Sequence, residues 1–170
     1  MFETPRLQAR RINRKDVQAM LAVYGDAETV RWVDDGTPLD RRGCEHWVEV
    51  TQRNYAGRGY GMLALQARDS GRVIGFCGLV HPNGQETAEI KYALLRDQWG
   101  KGYATEAARA LLAWGASEFA IMHVIATAAP ENTASHNVLL KAGLERGEPR
   151  RSDDGTVTLL FTWHARGSRA

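Results

Sequence analysis

The stretch Val73-Ile74-Gly75-Phe76-Cys77-Gly78-Leu79-Val80 constrains the fold more than any other part of the chain. It carries no charge and offers apolar side chains to both faces, so water on either side would be unfavourable. Such a strand belongs inside a sheet that is covered on both faces. The segments around it supply that sheet. Residues 60–67 and 73–81 read as strands joined by a turn at Asp69-Ser70-Gly71, and Pro82-Asn83-Gly84 leads to another over 88–95. Residues 6–12 and 123–129 also read as strands. Two more, around 144–151 and 156–164, are joined by Asp153-Asp154-Gly155.

Helical spacing fills the intervals. Asn13 is placed to cap a helix with Asp16 at its third position and Val17, Met20, Leu21 and Tyr24 on one face, ending at Gly25. A short helix follows around 27–32. Thr37 is the expected cap of the next helix, with Pro38 at the first helical position and the stripe Cys44, Trp47, Val48, Thr51 and Tyr55. Gly57-Arg58-Gly59-Tyr60-Gly61 reads as its exit into a strand. Ala104, Ala107, Ala108, Leu111, Leu112 and Gly115 form the cleanest stripe, and residues 132–142 form a helix ended by a left-handed Gly143. The expected class is α/β: one mixed, mostly antiparallel sheet of about six or seven strands with helices on both faces.

At 170 residues the chain reads as a single domain spanning 1–170, and a hydrophobic content of 44% is enough for a core without disulfide or metal staples. A formal net charge of +2 is too near balance for a dedicated nucleic-acid binder, and the pairs Arg10–Arg11, Arg41–Arg42 and Arg150–Arg151 read as solvated. No window is long and apolar enough for a membrane span, and the opening residues are too polar for a signal peptide. Cys44 and Cys77 read as buried thiols, which suggests a reduced, cytoplasmic protein. His46, His81, His123 and His164 are scattered without ligand spacing, so no metal is expected. Trp32, Trp47 and Tyr55 read as core aromatics, with the wall of a ligand pocket as the alternative. Loose ends are expected at 1–5 and 166–170.

The segment Trp99-Gly100-Lys101-Gly102-Tyr103-Ala104-Thr105-Glu106-Ala107 follows a strand and opens the longest alanine-rich helix. Gly100 and Gly102 allow a tight turn that brings backbone close to a ligand, and the next helical turn leaves amides unpaired with partial positive charge. Together they suit a pyrophosphate, with Lys101 able to add a point charge. The P-loop pattern is absent, and Gly100-Lys101-Gly102 lacks the third glycine of a dinucleotide fingerprint.

This segment resembles the acetyl-CoA pyrophosphate loop of GNAT-fold N-acetyltransferases, in the spelling of the RimJ/RimL-like branch. The resemblance extends to Thr4-Pro5-Arg6-Leu7, to Val73-Ile74-Gly75-Phe76-Cys77-Gly78-Leu79, and to Asn132-Thr133-Ala134-Ser135-His136-Asn137-Val138-Leu139-Leu140-Lys141-Ala142-Gly143-Leu144. It implies a splay between the fourth and fifth strands that holds the pantetheine arm of acetyl-CoA. By resemblance, the backbone near Leu94 and Leu95 pairs with pantetheine. The amides of Gly100, Lys101, Gly102, Tyr103, Ala104 and Thr105 hold the pyrophosphate, and Asn132 bonds the pantetheine arm. Trp99 stands where many members have Arg or Gln, a difference expected to be neutral because the turn acts through its backbone.

Acetyl transfer to an amine needs a base, a donor for the developing oxyanion and a partner for the departing thiolate. The resemblance assigns the base to Glu89, which shares a strand face with Lys91 and Ala93. By the same resemblance, an unpaired N–H near Leu94 is the expected oxyanion donor. The family's frequent thiolate acid, a Tyr seven residues after the Asn, is replaced by Leu139, and Ser135 is the substitute. His136 is expected to be solvated. The implied function is transfer of acetyl to a primary amine, including a protein N-terminal amine as in RimJ/RimL. A small-molecule acceptor such as a polyamine, amino acid or antibiotic is the alternative, and a non-catalytic acyl-CoA-binding sensor is a third. A homodimer is compatible with the resemblance.

Overall fold

The computed structural model describes residues 1–151 and 155–165. In chain order the elements are β1 (Leu7–Arg11), α1 (Val17–Tyr24), α2 (Ala27–Val30), α3 (Arg41–Arg58), β2 (Met62–Ala67), β3 (Val73–Val80), β4 (Ala88–Leu94), α4 (Tyr103–Phe119), β5 (His123–Ala128), α5 (Thr133–Ala142), β6 (Glu145–Arg151) and β7 (Val157–His164). The strands form one seven-stranded sheet in the order β1-β2-β3-β4-β5-β7-β6. Every neighbouring pair is antiparallel except β4–β5, which is parallel. The expected α/β class and mixed sheet are therefore what the chain forms.

β3 lies inside the sheet, with its side chains from Ile74 to Leu79 buried. Alternate residues feed two apolar layers. Cys77 and Leu79 join Leu111, Leu112, Trp114, Leu139 and Phe161 on the α4–α5 side. Phe76 joins Val17, Met20, Val23, Cys44 and Val48 on the α1–α3 side. A fully buried Leu of this kind contributes about 2 kcal/mol over an exposed one. Gly115 lets α4 settle on the sheet: a Cβ there would come within 2.6 Å of Leu79 Cδ1. Both cysteines are buried free thiols. No helix among the described residues is long and apolar enough to cross a membrane.

The Asn13 cap forms as expected. Its Oδ1 accepts from Lys15 N at 2.9 Å while Asp16 Oδ2 accepts from Asn13 N at 2.9 Å, closing a capping box over residues 14–16 ahead of α1. The cap of α3 differs from expectation: Asp40, not Thr37, accepts from Gly43 N at 2.7 Å, and Pro38 lies outside the helix. Leu39 N donates to Tyr24 O at 2.8 Å, which ties this segment to the end of α1 and delays the helix start. Trp32 and Trp47 are not core residues, being 40% and 41% exposed. Tyr55 does pack inward, and its hydroxyl accepts from Ile12 N at 2.9 Å and donates to Met62 O. Residues 1–5 are not loose: Phe2 packs on Trp114, and Thr4 Oγ1 donates to Glu106 at 2.6 Å. Of the Asp153-Asp154-Gly155 turn, the two aspartates lie outside the described residues, as does the tail 166–170.

Asp16 gives the fold a pH dependence. It is 4% exposed and takes a two-pronged contact from Arg10, Nη1 at 2.9 Å and Nη2 at 2.7 Å. Burial pushes its carboxyl up, but Arg10 and the Asn13 amide pull it further down, leaving it below the usual aspartate value. A lowered folded-state value means stabilisation that is complete above the ordinary carboxylate range and drains as pH falls through the folded value. Asp16→Asn should therefore cost about 2 kcal/mol in urea denaturation at neutral pH. The difference from the unaltered protein should shrink in acid; a difference that stays constant with pH would refute this account.

Candidate active site

β4 and β5 pair at only two positions, Ala88↔Val124 and Glu89↔Ile125, and beyond them the strands diverge. On its other edge β4 stays paired with β3 from Glu89 to Leu94, and Leu95 N continues the ladder to Ile74 O at 2.9 Å. Successive residues aim their backbone groups to opposite sides of a strand, so Leu94 turns its N–H and C=O into the gap. Of the two residues expected to pair with pantetheine, Leu94 turns its backbone to the gap, whereas Leu95 spends its N–H on β3. The Leu94 carbonyl accepts from Trp99 Nε1 at 3.0 Å. Trp99 is therefore not a neutral departure, because its indole covers a backbone acceptor of the gap.

The glycine turn closes one end of the gap. Gly100 and Gly102 have φ of 73° and 81°, the left-handed region that non-glycine residues rarely adopt. A Cβ at Gly100 would meet no atom within 4 Å, so that side of the turn is open. α4 begins without a side-chain cap. The amides of Tyr103, Ala104 and Thr105 lie ahead of the first closing bond, Glu106 N to Gly102 O at 3.1 Å. This leaves an open backbone surface with positive polarity, suited to an anion. Lys101 is exposed beside it, its Nζ 3.5 Å from Gln98 Oε1.

Arg6 holds this turn from the start of β1. Its Nη1 donates to Lys101 O at 2.8 Å, its Nε donates to Glu106 Oε2 at 2.6 Å, and its guanidinium lies 4.4 Å from the Tyr103 ring centroid. Glu106 also accepts from Thr4 Oγ1 at 2.6 Å and Arg6 N at 3.1 Å. Burial pushes the Glu106 carboxyl up, but these donors outweigh it and leave it below its ordinary value.

Glu89 sits where the β4–β5 pairing ends. It is buried, and Oε1 accepts from Thr127 Oγ1 on β5 at 2.7 Å and faces Lys91 Nζ at 2.8 Å. Oε2 is the freer oxygen, with a long contact to Gln85 Nε2 at 3.4 Å. Glu89 and Lys91 thus form a pair, but at the apex of the gap rather than on a solvated edge. Glu89, Lys91 and Ala93 share one face, and Ala93 packs with the α1–α3 layer. Asn132 caps α5 by accepting from Ser135 N at 3.2 Å, which engages its oxygen and leaves its amide hydrogens as donors. Ser135 Oγ lies 2.7 Å from Tyr92 OH. His136 is not free in solvent: its Nε2 is 2.9 Å from Ala129 O. Leu139 is buried in the core. Sequence reasoning did not single out Arg6, Tyr92 or Thr127 for the site. Each acts through a contact across elements, which leaves no local pattern.

The matching family profile is the acetyltransferase (GNAT) domain, over residues 6–145. This chain belongs to the GNAT acetyltransferase family. The N-acetyltransferase YnaD of Bacillus subtilis (strain 168), itself uncharacterized, is 30% identical over 143 residues, covering 84% of this chain and 81% of YnaD. An acetyltransferase structure from Agrobacterium tumefaciens strain C58 superposes with TM-score 0.82 at 24% identity, covering 96% of this chain and 94% of that one. RimL, a ribosomal L7/L12 alpha-N-protein acetyltransferase solved with coenzyme A, superposes with TM-score 0.81 at 16% identity, covering 95% of each chain. These GNAT likenesses establish the fold, and the profile establishes an acetyltransferase domain.

The Arg6 contacts make a prediction for the GNAT turn. Arg6→Ala should lower stability by about 1 kcal/mol in chemical denaturation, a modest figure because the guanidinium is half exposed to screening solvent. Amide hydrogen exchange at residues 100–106 should quicken more than in β3. Equal quickening in both would show that Arg6 supports the fold generally and not the turn.

Proposed function

We propose that this protein transfers an acetyl group from acetyl-CoA to a primary amine. The observation that carries the reading is the open left-handed turn at Gly100–Gly102, feeding uncapped α4 amides at the mouth of the β4–β5 gap. The residues present fit the group: a diphosphate suits the amides of Gly100 to Thr105 with Lys101 beside them, and an amide-bearing arm suits the backbone edge at Leu94 and the Asn132 side chain. Bound there, acetyl-CoA supplies the acetyl thioester as electrophile.

The chain's own residues then divide the work. Leu94 N–H, aimed into the gap, donates to the thioester oxygen as negative charge builds. Glu89, through the freer Oε2, takes the proton of the incoming amine, while Thr127 and Lys91 hold Oε1 in place. Ser135 presents a hydroxyl to the departing sulfur. The exposed Trp32 and Trp47, in the segment between β1 and β2, offer flat apolar surface for an acceptor.

For the acceptor we favour a protein N-terminal amine, of the RimJ/RimL-like kind, supported by the branch's turn spelling and by the similarity of fold to RimL. A cytoplasmic setting agrees with two buried free thiols. Thiol release from acetyl-CoA, screened over peptides with varied N-termini, polyamines and aminoglycosides, tests the acceptor. Binding without release on any amine would favour a sensor.

Gly100→Ala should weaken CoA binding at least ~10-fold in calorimetry while costing only about 1 kcal/mol of stability, because the new Cβ meets no protein atom but strains the left-handed turn. Unchanged affinity would sink the assignment of the turn. Glu89→Gln should lower kcat roughly 100-fold with CoA affinity intact. A wild-type rate would reduce Glu89 to a tie between β4 and β5.

A further inference from the structure

At the gap, outside the Glu89 cluster, the Tyr92 hydroxyl meets a group from the opposite arm of the splay. Tyr92 lies on β4, past the last β4–β5 pairing, while Ser135 belongs to the first turn of α5, 43 residues away in sequence. The two hydroxyl oxygens are 2.7 Å apart, and Tyr92 OH is a further 3.4 Å from the Ser135 carbonyl. The Tyr92 ring packs against the α4–α5 core layer, so the hydroxyl is delivered from a fixed base. Ser135 is fixed as well, because its N–H is bonded to Asn132 Oδ1. A helical serine commonly bonds back to its own backbone, and here Tyr92 supplies a partner across the gap instead.

The direction of that bond decides what Ser135 can do. Burial pushes the Tyr92 phenol up to about 12, with the Ser135 contact pulling the other way, so the phenol keeps its proton throughout the neutral range. A phenol is more acidic than an alkyl hydroxyl and is the stronger donor of the two. The 2.7 Å distance fits either oxygen as donor, and the acidities favour Tyr92 donating and Ser135 Oγ accepting. That leaves Ser135 with its own hydrogen, which has to point away from Tyr92.

We propose that Tyr92 is a positioning residue that turns the Ser135 hydroxyl hydrogen into the gap, toward the departing sulfur of CoA. This rests on the acetyl-CoA reading above. As the acyl carbon–sulfur bond breaks and the carbon–nitrogen bond forms, the sulfur keeps the electron pair. Ser135 lends that sulfur a hydrogen bond without giving up its proton, and the amine's proton goes to Glu89, so neither Tyr92 nor Ser135 changes charge. The role left vacant by Leu139 is filled by two hydroxyls, one from each arm, instead of one tyrosine on the helix.

A link between two arms could also be a mere strut that sets the width of the gap, and CoA itself separates the two roles. The thiol of bound CoA is titrated by its thiolate absorbance in the unaltered protein, Tyr92→Phe, Ser135→Ala and the double variant. Affinity is measured alongside by calorimetry at a pH where the thiol is protonated. In the unaltered protein the bound thiol should titrate about one unit below free CoA, because a hydrogen bond to the anion favours it. Ser135→Ala should abolish that shift, Tyr92→Phe should remove most of it, and the double variant should match Ser135→Ala, since the pair acts as a unit. Affinity for protonated CoA should hold within twofold throughout, a change of about 0.4 kcal/mol. A thiol titration in Tyr92→Phe equal to that of the unaltered protein would overturn the proposal. So would a loss of affinity for protonated CoA that accounts for the whole effect. Failure of the unaltered protein to bind CoA would instead overturn the acetyl-CoA reading, and this inference with it.

Discussion

The structure depends on where the parallel pairing of β4 and β5 stops. Backbone N–H and C=O groups inside a sheet are costly to leave unpaired, so a sheet that opens in its middle must line the opening with substitutes. Here one backbone group, the Leu94 carbonyl, is met by a side chain, and side-chain pairs bridge the opening beside it. At the apex the Glu89 side chain reaches Thr127 where the ladder ends. Further out, Trp99 covers the Leu94 carbonyl and Tyr92 meets Ser135. What remains facing the gap is a donor at Leu94 and the amides of the glycine turn, a surface that an extended, amide-bearing ligand with a diphosphate can complete.

The opening is held by parts of the chain far apart in sequence. Thr4 and Arg6, on the way into β1 at one edge of the sheet, converge on Glu106 in the first turn of α4 and on the Lys101 carbonyl. An acidic residue in the first turn of a helix is favourable on its own. Here it also anchors residues 4–6 to the glycine turn, so the two left-handed glycines are braced from outside. Their conformation makes the turn open, and the brace keeps it from relaxing.

Much of the fold, and the glycine turn of the candidate site, was legible in the sequence. The unbroken apolar run Val73–Val80, the stripe of α4 and the Asn13 box are local patterns, and each formed where the sequence placed it. Gly100 and Gly102 were legible because only a turn with positive φ calls for glycine at both places. The start of α3 was misread because Thr37-Pro38 and Asp40 offer competing caps of similar strength, and the bond from Leu39 to Tyr24 settles between them. Trp32 and Trp47 were read as core because helical spacing reports a face and not what covers it. Trp99 was treated as neutral because its neighbours in sequence do not reveal that its indole folds back on Leu94.

By itself the sequence determined the elements, the class of fold and the family, because periodicity, caps and a turn motif are written over a few consecutive residues. The tertiary structure alone decided which groups face the opening. Leu94 and not Leu95 turns toward it, Glu89 is buried and tied at the apex, and Tyr92 and Ser135 meet across it. The reason is physical: orientation and partnership depend on how two strands diverge after they stop sharing hydrogen bonds. That divergence is set by packing summed over both layers of the core, with no local signal in the chain.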